Sequence, residues 1–262
     1  MRRMDTGRSS RSSYAGLADR TIFITGGGSG IGAAFTWAFA GQGARVAFVD
    51  VAEEASRTLA VQIQKETSKA PLFIPCDVRN IGALQEAIEI TRIELGDIGV
   101  LINNAGNDDR HRIDQVTPAY WDERIAVNLR HMFFAAQAVA PQMKRLGGGA
   151  IINLGSIIWR LKLTGAAVYN TIKASVTGLT RVLAREFGPF GIRVNTISPG
   201  AVWTERQMKL WYTPEFEKEV MAGQCLKKRV LPGDVANMGL FIASDAADKC
   251  TGQDFIVDAG WS

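Results

Sequence analysis

Thr21-Ile-Phe-Ile-Thr-Gly-Gly-Gly-Ser-Gly-Ile-Gly32 decides how the rest of the chain is read. Thr21–Thr25 is a β-branched apolar run of strand length, and Gly26–Gly32 is a glycine-rich turn that opens into helical spacing from Ile31 to Gln42. Glycines at such a strand–turn–helix junction let backbone amides approach a pyrophosphate. The helix that follows adds free N–H groups and the positive end of its dipole. Gly26, Ser29, Gly30, Ile31 and Gly32 are therefore candidate cofactor contacts. The spacing is G-x-x-x-G-x-G rather than G-x-G-x-x-G, and a glycine-rich turn standing alone is often only a tight turn.

Working outward, strand-like and helical runs alternate. Arg45–Val49, Pro71–Cys76, Gly99–Asn103, Ala150–Leu154, Ile192–Ile197 and Phe255–Val257 read as further strands. Glu53–Ser68, Ile81–Leu95, Trp121–Leu146, Thr171–Gly188 and a segment near Gly233–Ala243 read as helices, and Ser198–Arg229 as a long irregular segment. Strands alternating with helices in this way are parallel, with helices on both faces. Their near-continuous apolar character fits burial on both sides. One domain, residues 17–262, is expected to follow a flexible N-terminal tail over 1–16.

The chain has 262 residues, 47% apolar and 21% charged, as in a globular protein with a sizeable core. Of the formal +4 net charge, Arg2, Arg3, Arg8 and Arg11 against Asp5 place +3 in the first 13 residues. The excess is thus a tail property, and no basic stripe interleaved with aromatics points to nucleic acid. Cys76, Cys225 and Cys250 show neither disulfide nor metal spacing, and His111 and His131 lack partners at zinc spacing, so no metal is expected. No run approaches a membrane span, and the N-terminal charges precede no apolar stretch, which gives a cytoplasmic expectation.

Parallel sheets bind ligands at the carboxyl ends of their strands. Asp50 ends the second strand, where a carboxylate can hold both adenosine ribose hydroxyls and would repel a 2′-phosphate. The glycine turn offers no Arg or Lys to such a phosphate, so NAD is favoured over NADP. A merely solvated strand-end Asp is the alternative. Asp77-Val78 and Asn103-Asn104-Ala105-Gly106 end the next two strands and extend the same lip. Tyr169 and Lys173, four apart, share a helix face. An adjacent ammonium is expected to bring the phenol pKa toward working pH and make Tyr169 a general base. Ser156 can hold the substrate oxygen, and Asn128 a water chain. By itself, Tyr-x-x-x-Lys is an ordinary helix-surface pair.

In combination these motifs are specific. Thr25–Gly32, the Asn-Asn-Ala-Gly at 103–106, Asn128, Ser156, Tyr169-x-x-x-Lys173 and Pro199-Gly200-x-x-x-Thr204 follow one another in an order and spacing that resembles the short-chain dehydrogenase/reductase family over residues 17–262. The resemblance implies a Rossmann-type doubly wound sheet of seven parallel strands and a catalytic tetrad of Asn128, Ser156, Tyr169 and Lys173. It implies that Lys173 also holds the nicotinamide ribose, that Pro199, Gly200, Val202 and Thr204 place the carboxamide, and that the enzyme is a homotetramer.

The stretches 103–111, 120–124, 127–134, 211–215 and 258–261 resemble the NAD-dependent aldose dehydrogenases of that family. They imply oxidation of the C1 hydroxyl of an aldopyranose to the aldonolactone, with D-xylose favoured. L-arabinose, D-galactose, L-fucose, L-rhamnose, a polyol or a 3-oxoacyl thioester are alternative substrates, and a non-catalytic dinucleotide sensor a remote one. Asn107, Asp109, Ser156, Trp159 and Trp211 are the candidate sugar contacts. Core or subunit-interface positions are the alternative for the tryptophans, and salt bridges of its own the alternative for the charged loop.

Overall fold

In the computed structural model, which describes residues 13–262, the apolar runs pair side by side as strands. They are β1 (Thr21–Thr25), β2 (Arg45–Asp50), β3 (Leu72–Pro75), β4 (Ile98–Asn103), β5 (Gly149–Leu154), β6 (Ile192–Pro199) and β7 (Asp254–Val257). All pairings are parallel, in the order β3-β2-β1-β4-β5-β6-β7. Sequence order reverses between β1 and β4, the place where a doubly wound sheet opens its ligand crevice.

Residues along each strand alternate between two cores. Ile22, Ile24, Val46, Phe48, Val100 and Ile102 join the core beneath α1 (Gly30–Gly41), α2 (Glu53–Thr67) and, further along, α9 (Pro232–Ala243). Phe23, Ala47, Val49, Leu101 and Ile151 face the opposite core, under α3 (Ile81–Leu95), α5 (His131–Arg145) and α6 (Ala167–Phe187). No described helix is long and apolar enough to cross a membrane.

Three expectations change. The helix expected over Trp121–Leu146 starts earlier, as α4 (Pro118–Ile125) capped by Thr117 Oγ1. It then widens into a π-helical segment, Ala126–Arg130, before α5. The widening centres on Asn128, whose side chain makes three hydrogen bonds to backbone groups, one of them to Arg124 O in the preceding turn. Inserted turns of this kind are often found where a helix serves function. Second, the segment expected to be irregular holds α7 (Glu205–Leu210) and α8 (Pro214–Gly223), capped by Thr204 and Thr213. Third, ordered packing begins before residue 17. Tyr14 N–H donates to Gln42 Oε1 at 2.8 Å, and Ala15–Leu17 form a turn that buries Leu17. The rest of the expected tail, residues 1–12, lies outside the described residues.

His131, the first residue of α5, is fully buried. Burial, aided by the Lys173 ammonium, pushes its imidazole pKa down to about 3 from an ordinary 6.5. The unfolded chain therefore takes up a proton near pH 6.5 that the folded chain refuses until far lower pH, so stability falls as pH drops through that window. One such proton contributes at most about 1.4 kcal/mol per pH unit. In thermal melts between pH 6.5 and 4, a His131→Asn variant is expected to lose Tm less steeply than the wild type. Equal slopes would mean that this imidazole is not the group refusing the proton.

Candidate active site

The crevice begins at the glycine turn. Gly26 has φ +65°, and a Cβ on Gly32 would lie 1.8 Å from Gly26 O, so neither position accommodates an ordinary residue. No side chain caps α1, whose first-turn N–H groups are left for an anion. Asn104 Nδ2 donates to Thr25 O at 3.0 Å and Gly26 O at 2.8 Å, while Thr25 Oγ1 accepts from the N–H groups of Asn104 and Ala105. These bonds hold the turn against the end of β4. Across the opening, Thr204 Cγ2 lies 3.5 Å from where a Gly30 Cβ would be, which brings the Pro199–Thr204 segment to the same cleft.

Asp50 stands at the end of β2 and accepts from Gly28 N at 2.9 Å and Ala52 N at 3.0 Å. A carboxylate is thus fixed beside the glycine turn. Asp77, at the next strand end beside buried Val78, is committed to Arg79 through the Nε and Nη2 donors, and that bond holds its carboxyl below the usual range. Arg79 also reaches Glu123 at 3.0 Å. An adenine approaching Asp77 would meet a carboxylate already paired.

All four expected catalytic residues converge. Tyr169 sits in the first turn of α6, which begins before the Thr171 expected from sequence, and Lys173 follows one turn later. Ser156, just past β5, accepts from Ile158 N at 3.2 Å, and Ser156 and Tyr169 line one cavity of about 160 Å³. Asn128 Nδ2 donates to Asn107 O at 3.1 Å and Arg124 O at 3.0 Å, and Oδ1 accepts from Asn107 N at 2.8 Å. A Cβ on Gly106 would lie 3.0 Å from Asn128 Oδ1 and 3.8 Å from Lys173 Nζ, so that glycine marks the point where the two groups meet.

The electrostatics differ from the expectation. Lys173 Nζ donates to Leu154 O at 2.6 Å and lies 5.5 Å from the Tyr169 ring centroid. Burial pushes the Tyr169 phenol above its ordinary value; the Asp108 carboxylate adds to that, and Arg110 opposes it. Burial also pushes the Lys173 ammonium down to about 8. Loss of hydration disfavours both charged forms.

Among the expected sugar contacts, only Ser156 lines the cavity at Tyr169. Asn107 is engaged with Asn128 and Arg206. Asp109 pairs with Arg124 at 3.0 Å and Arg206 at 3.2 Å. Trp159 lines a separate cavity of about 800 Å³, and Trp211 packs under the Arg110 guanidinium at 5.4 Å. The cavity at Tyr169 is lined instead by Asp108, Arg110, Gln207, Phe216 and Trp261, among others. Gln207 Nε2 donates to Asp108 Oδ2 at 2.5 Å, and Arg206 bridges to the same loop, so α7 is clasped over the opening. Trp261 is held where Asp258 accepts from Gly260 N and Ser262 N, each at 2.8 Å. A Cβ on Gly223 would lie 2.2 Å from Trp261 Nε1, so α8 packs directly on the indole. The Thr-Pro pairs at 117–118 and 213–214 signal helix starts and could have revealed α4 and α8. Nothing local could have placed Trp261 in one cavity with Ser156.

A family model described as Enoyl-(Acyl carrier protein) reductase matches residues 26–262. D-xylose 1-dehydrogenase of Caulobacter vibrioides is 54% identical over 95% of this chain and 98% of its own. A probable galactose dehydrogenase of Rhizobium meliloti is 47% identical over 95% and 97% of the two chains. Among solved structures, a 7 alpha-hydroxysteroid dehydrogenase complexed with NADH and 7-oxo glycochenodeoxycholic acid superposes with TM-score 0.90 at 30% identity, covering 97% of this chain and 98% of that one. A putative short-chain alcohol dehydrogenase from Sinorhizobium meliloti 1021 gives 0.88 at 30% identity, over 93% and 96%. With the family model, these relatives and the sheet order together, the chain is an oxidoreductase of the short-chain dehydrogenase/reductase family and resembles its sugar dehydrogenases.

Proposed function

We propose that the protein oxidises the C1 hydroxyl of an aldopyranose, D-xylose first among them, to the aldonolactone with NAD. The observation that carries the reading is the shared cavity of Ser156 and Tyr169, whose lining includes the aromatic rings of Trp261 and Phe216 and the polar groups of Asp108, Arg110 and Gln207. A pyranose has apolar C–H faces that suit aromatic rings and hydroxyls that suit carboxylate, amide and guanidinium groups. The 54% identity to a D-xylose 1-dehydrogenase supports the choice of sugar.

NAD, when bound, accepts the hydride that leaves C1. Its fit rests on the Gly26–Gly32 cradle, the uncapped α1 and Asp50. Ser156 Oγ donates to or accepts from the C1 oxygen and holds it beside the phenol. Tyr169 takes the hydroxyl proton as the carbonyl forms. Lys173, already pushed down to about 8, favours the phenolate while protonated and passes the proton on toward Asn128, whose carbonyl oxygen faces the same point. The α7 clasp and α8 limit water at the reacting carbon. Assembly as a homotetramer is part of the proposal, supported by the exposed apolar Val182 on α6 and Phe133 on α5.

An acyl-carrier substrate would need a basic patch at the cavity mouth. Lys227 is tied to Ala222 O and Gln224 O, and Arg229 to Glu217 at 2.6 Å, so the Lys227-Lys228-Arg229 run has local employment.

NADH absorbance against a panel of aldoses, alditols and 3-oxoacyl thioesters tests the substrate class; turnover restricted to the thioesters would overturn it. Tyr169→Phe is expected to keep NAD binding and to lower kcat by about 1,000-fold or more, in line with loss of a general base and of the oxygen that orients the substrate. Asp50→Ala is expected to weaken NAD by about tenfold while leaving NADP unchanged or improved, as loss of a ribose-binding carboxylate requires. An unchanged NAD to NADP ratio contradicts the assignment. Trp261→Ala is expected to raise the sugar KM about tenfold with little change in the Kd of NAD, the signature of a lost stacking face.

A further inference from the structure

Helix α6 lacks the polar residue that normally begins a helix. Its N-cap is Ala166, which has no side chain able to accept from the first turn. First-turn N–H groups need partners from elsewhere. Val168, the second helical residue, finds one in His111 Nε2 at 3.1 Å, contributed by the loop that follows β4. The His111 N–H donates to Gly165 O at 2.8 Å, so the same residue also holds the backbone just ahead of the helix.

The far side of the ring is fixed as well. His111 Nδ1 lies 3.0 Å from Tyr120 Oη and 3.3 Å from Asp109 O, and the two rings meet edge-on at 5.2 Å. Acceptance at Nε2 places the ring proton on Nδ1, where the Asp109 carbonyl and the Tyr120 hydroxyl face it. Val168 immediately precedes Tyr169, so the phenol's position follows from this contact. His111 itself lines the neighbouring cavity with Trp159 and not the one at Ser156.

We propose that His111 is the tertiary N-cap of α6 and the residue that positions Tyr169 for proton transfer. The kinetic half of this inference rests on Tyr169 being the proton acceptor; the structural half does not. A sequence-local cap would have fixed only the helix. A cap drawn from the 107–111 loop fixes the helix relative to Asn107, which binds Asn128, and to Asp108, which lines the substrate cavity.

Two variants separate the cap from simple packing. His111→Gln keeps an acceptor near the Nε2 position, and His111→Leu keeps the volume without one. Hydrogen–deuterium exchange of the peptide spanning residues 165–172 is read alongside kcat, KM and the Kd of NAD on the full chain. In His111→Leu, exchange is expected to rise about tenfold and kcat to fall about 10- to 100-fold, with the Kd of NAD within about twofold, as for a misplaced catalytic group. In His111→Gln, exchange and kcat are expected within about threefold of wild type, the cap being restored. Wild-type exchange in His111→Leu, unchanged kcat despite faster exchange, or a Gln variant as impaired as the Leu variant would each overturn the proposal. If His111→Leu does not fold, His111→Ser, whose hydroxyl is too short to reach Val168, replaces it in the same comparison. A wild type that turns over no aldose while the exchange contrast persists would refute the assigned reaction and support the cap.

Discussion

Thr25 Oγ1 accepts from two successive N–H groups at the end of β4, and Asn104 returns two bonds to the carbonyls of Thr25 and Gly26. This exchange closes the switch point of the sheet, where two adjacent strands lead into loops that part in opposite directions. From it the 104–111 loop runs to each working part of the site. Gly106 leaves room for Asn128 and Lys173. Asn107 satisfies the Asn128 amide that sits in the π-helical turn. Asp108 and Asp109 take Gln207 and Arg206 from α7, and His111 takes Val168 from α6. The glycine turn, the Asn128–Lys173 corner, α6 and α7 are thereby tied to one short segment of backbone.

Tyr169 and Lys173 are buried together, and burial opposes charge on both, raising the phenol and lowering the ammonium. The chain alone therefore does not hold a phenolate ready. Lys173 spends one donor on Leu154 O, which fixes its position and leaves two donors for other partners. Asp108 acts on the same two groups through its charge, so a residue that lines the cavity also bears on the Tyr169–Lys173 pair.

The sheet was legible because parallel strands buried on both faces read as unbroken apolar runs. The grouping of Asn128, Ser156, Tyr169 and Lys173 could be expected because the motifs that carry them follow a fixed order along the chain. The π-helical turn at Asn128 was not, since one extra residue in a helix barely disturbs apolar spacing across Trp121–Leu146. Helices α7 and α8 were missed because six- and ten-residue exposed helices carry little periodicity, although their threonine caps were in plain sight. The lining of the cavity at Ser156 and Tyr169 differs from the expected contacts for another reason. Nearness in sequence to Ser156 or Gly106 suggested Trp159 and Asp109, whereas the fold folds those side chains away and brings Trp261 from the chain's far end. The phenol shift was misjudged because sequence spacing places Lys173 on the same face as Tyr169 and says nothing of Leu154 O or of burial.

The claim on which this account turns is that C1 of an aldopyranose is the carbon oxidised, with Tyr169 taking its proton. Incubating the enzyme with NAD and D-xylose deuterated at C1 tests it in a single mass measurement. Deuterium is expected in the reduced nicotinamide, with the aldonolactone as the accompanying product and neither formed by Tyr169→Phe. Reduced nicotinamide formed without deuterium would show that another carbon is oxidised and would contradict the account.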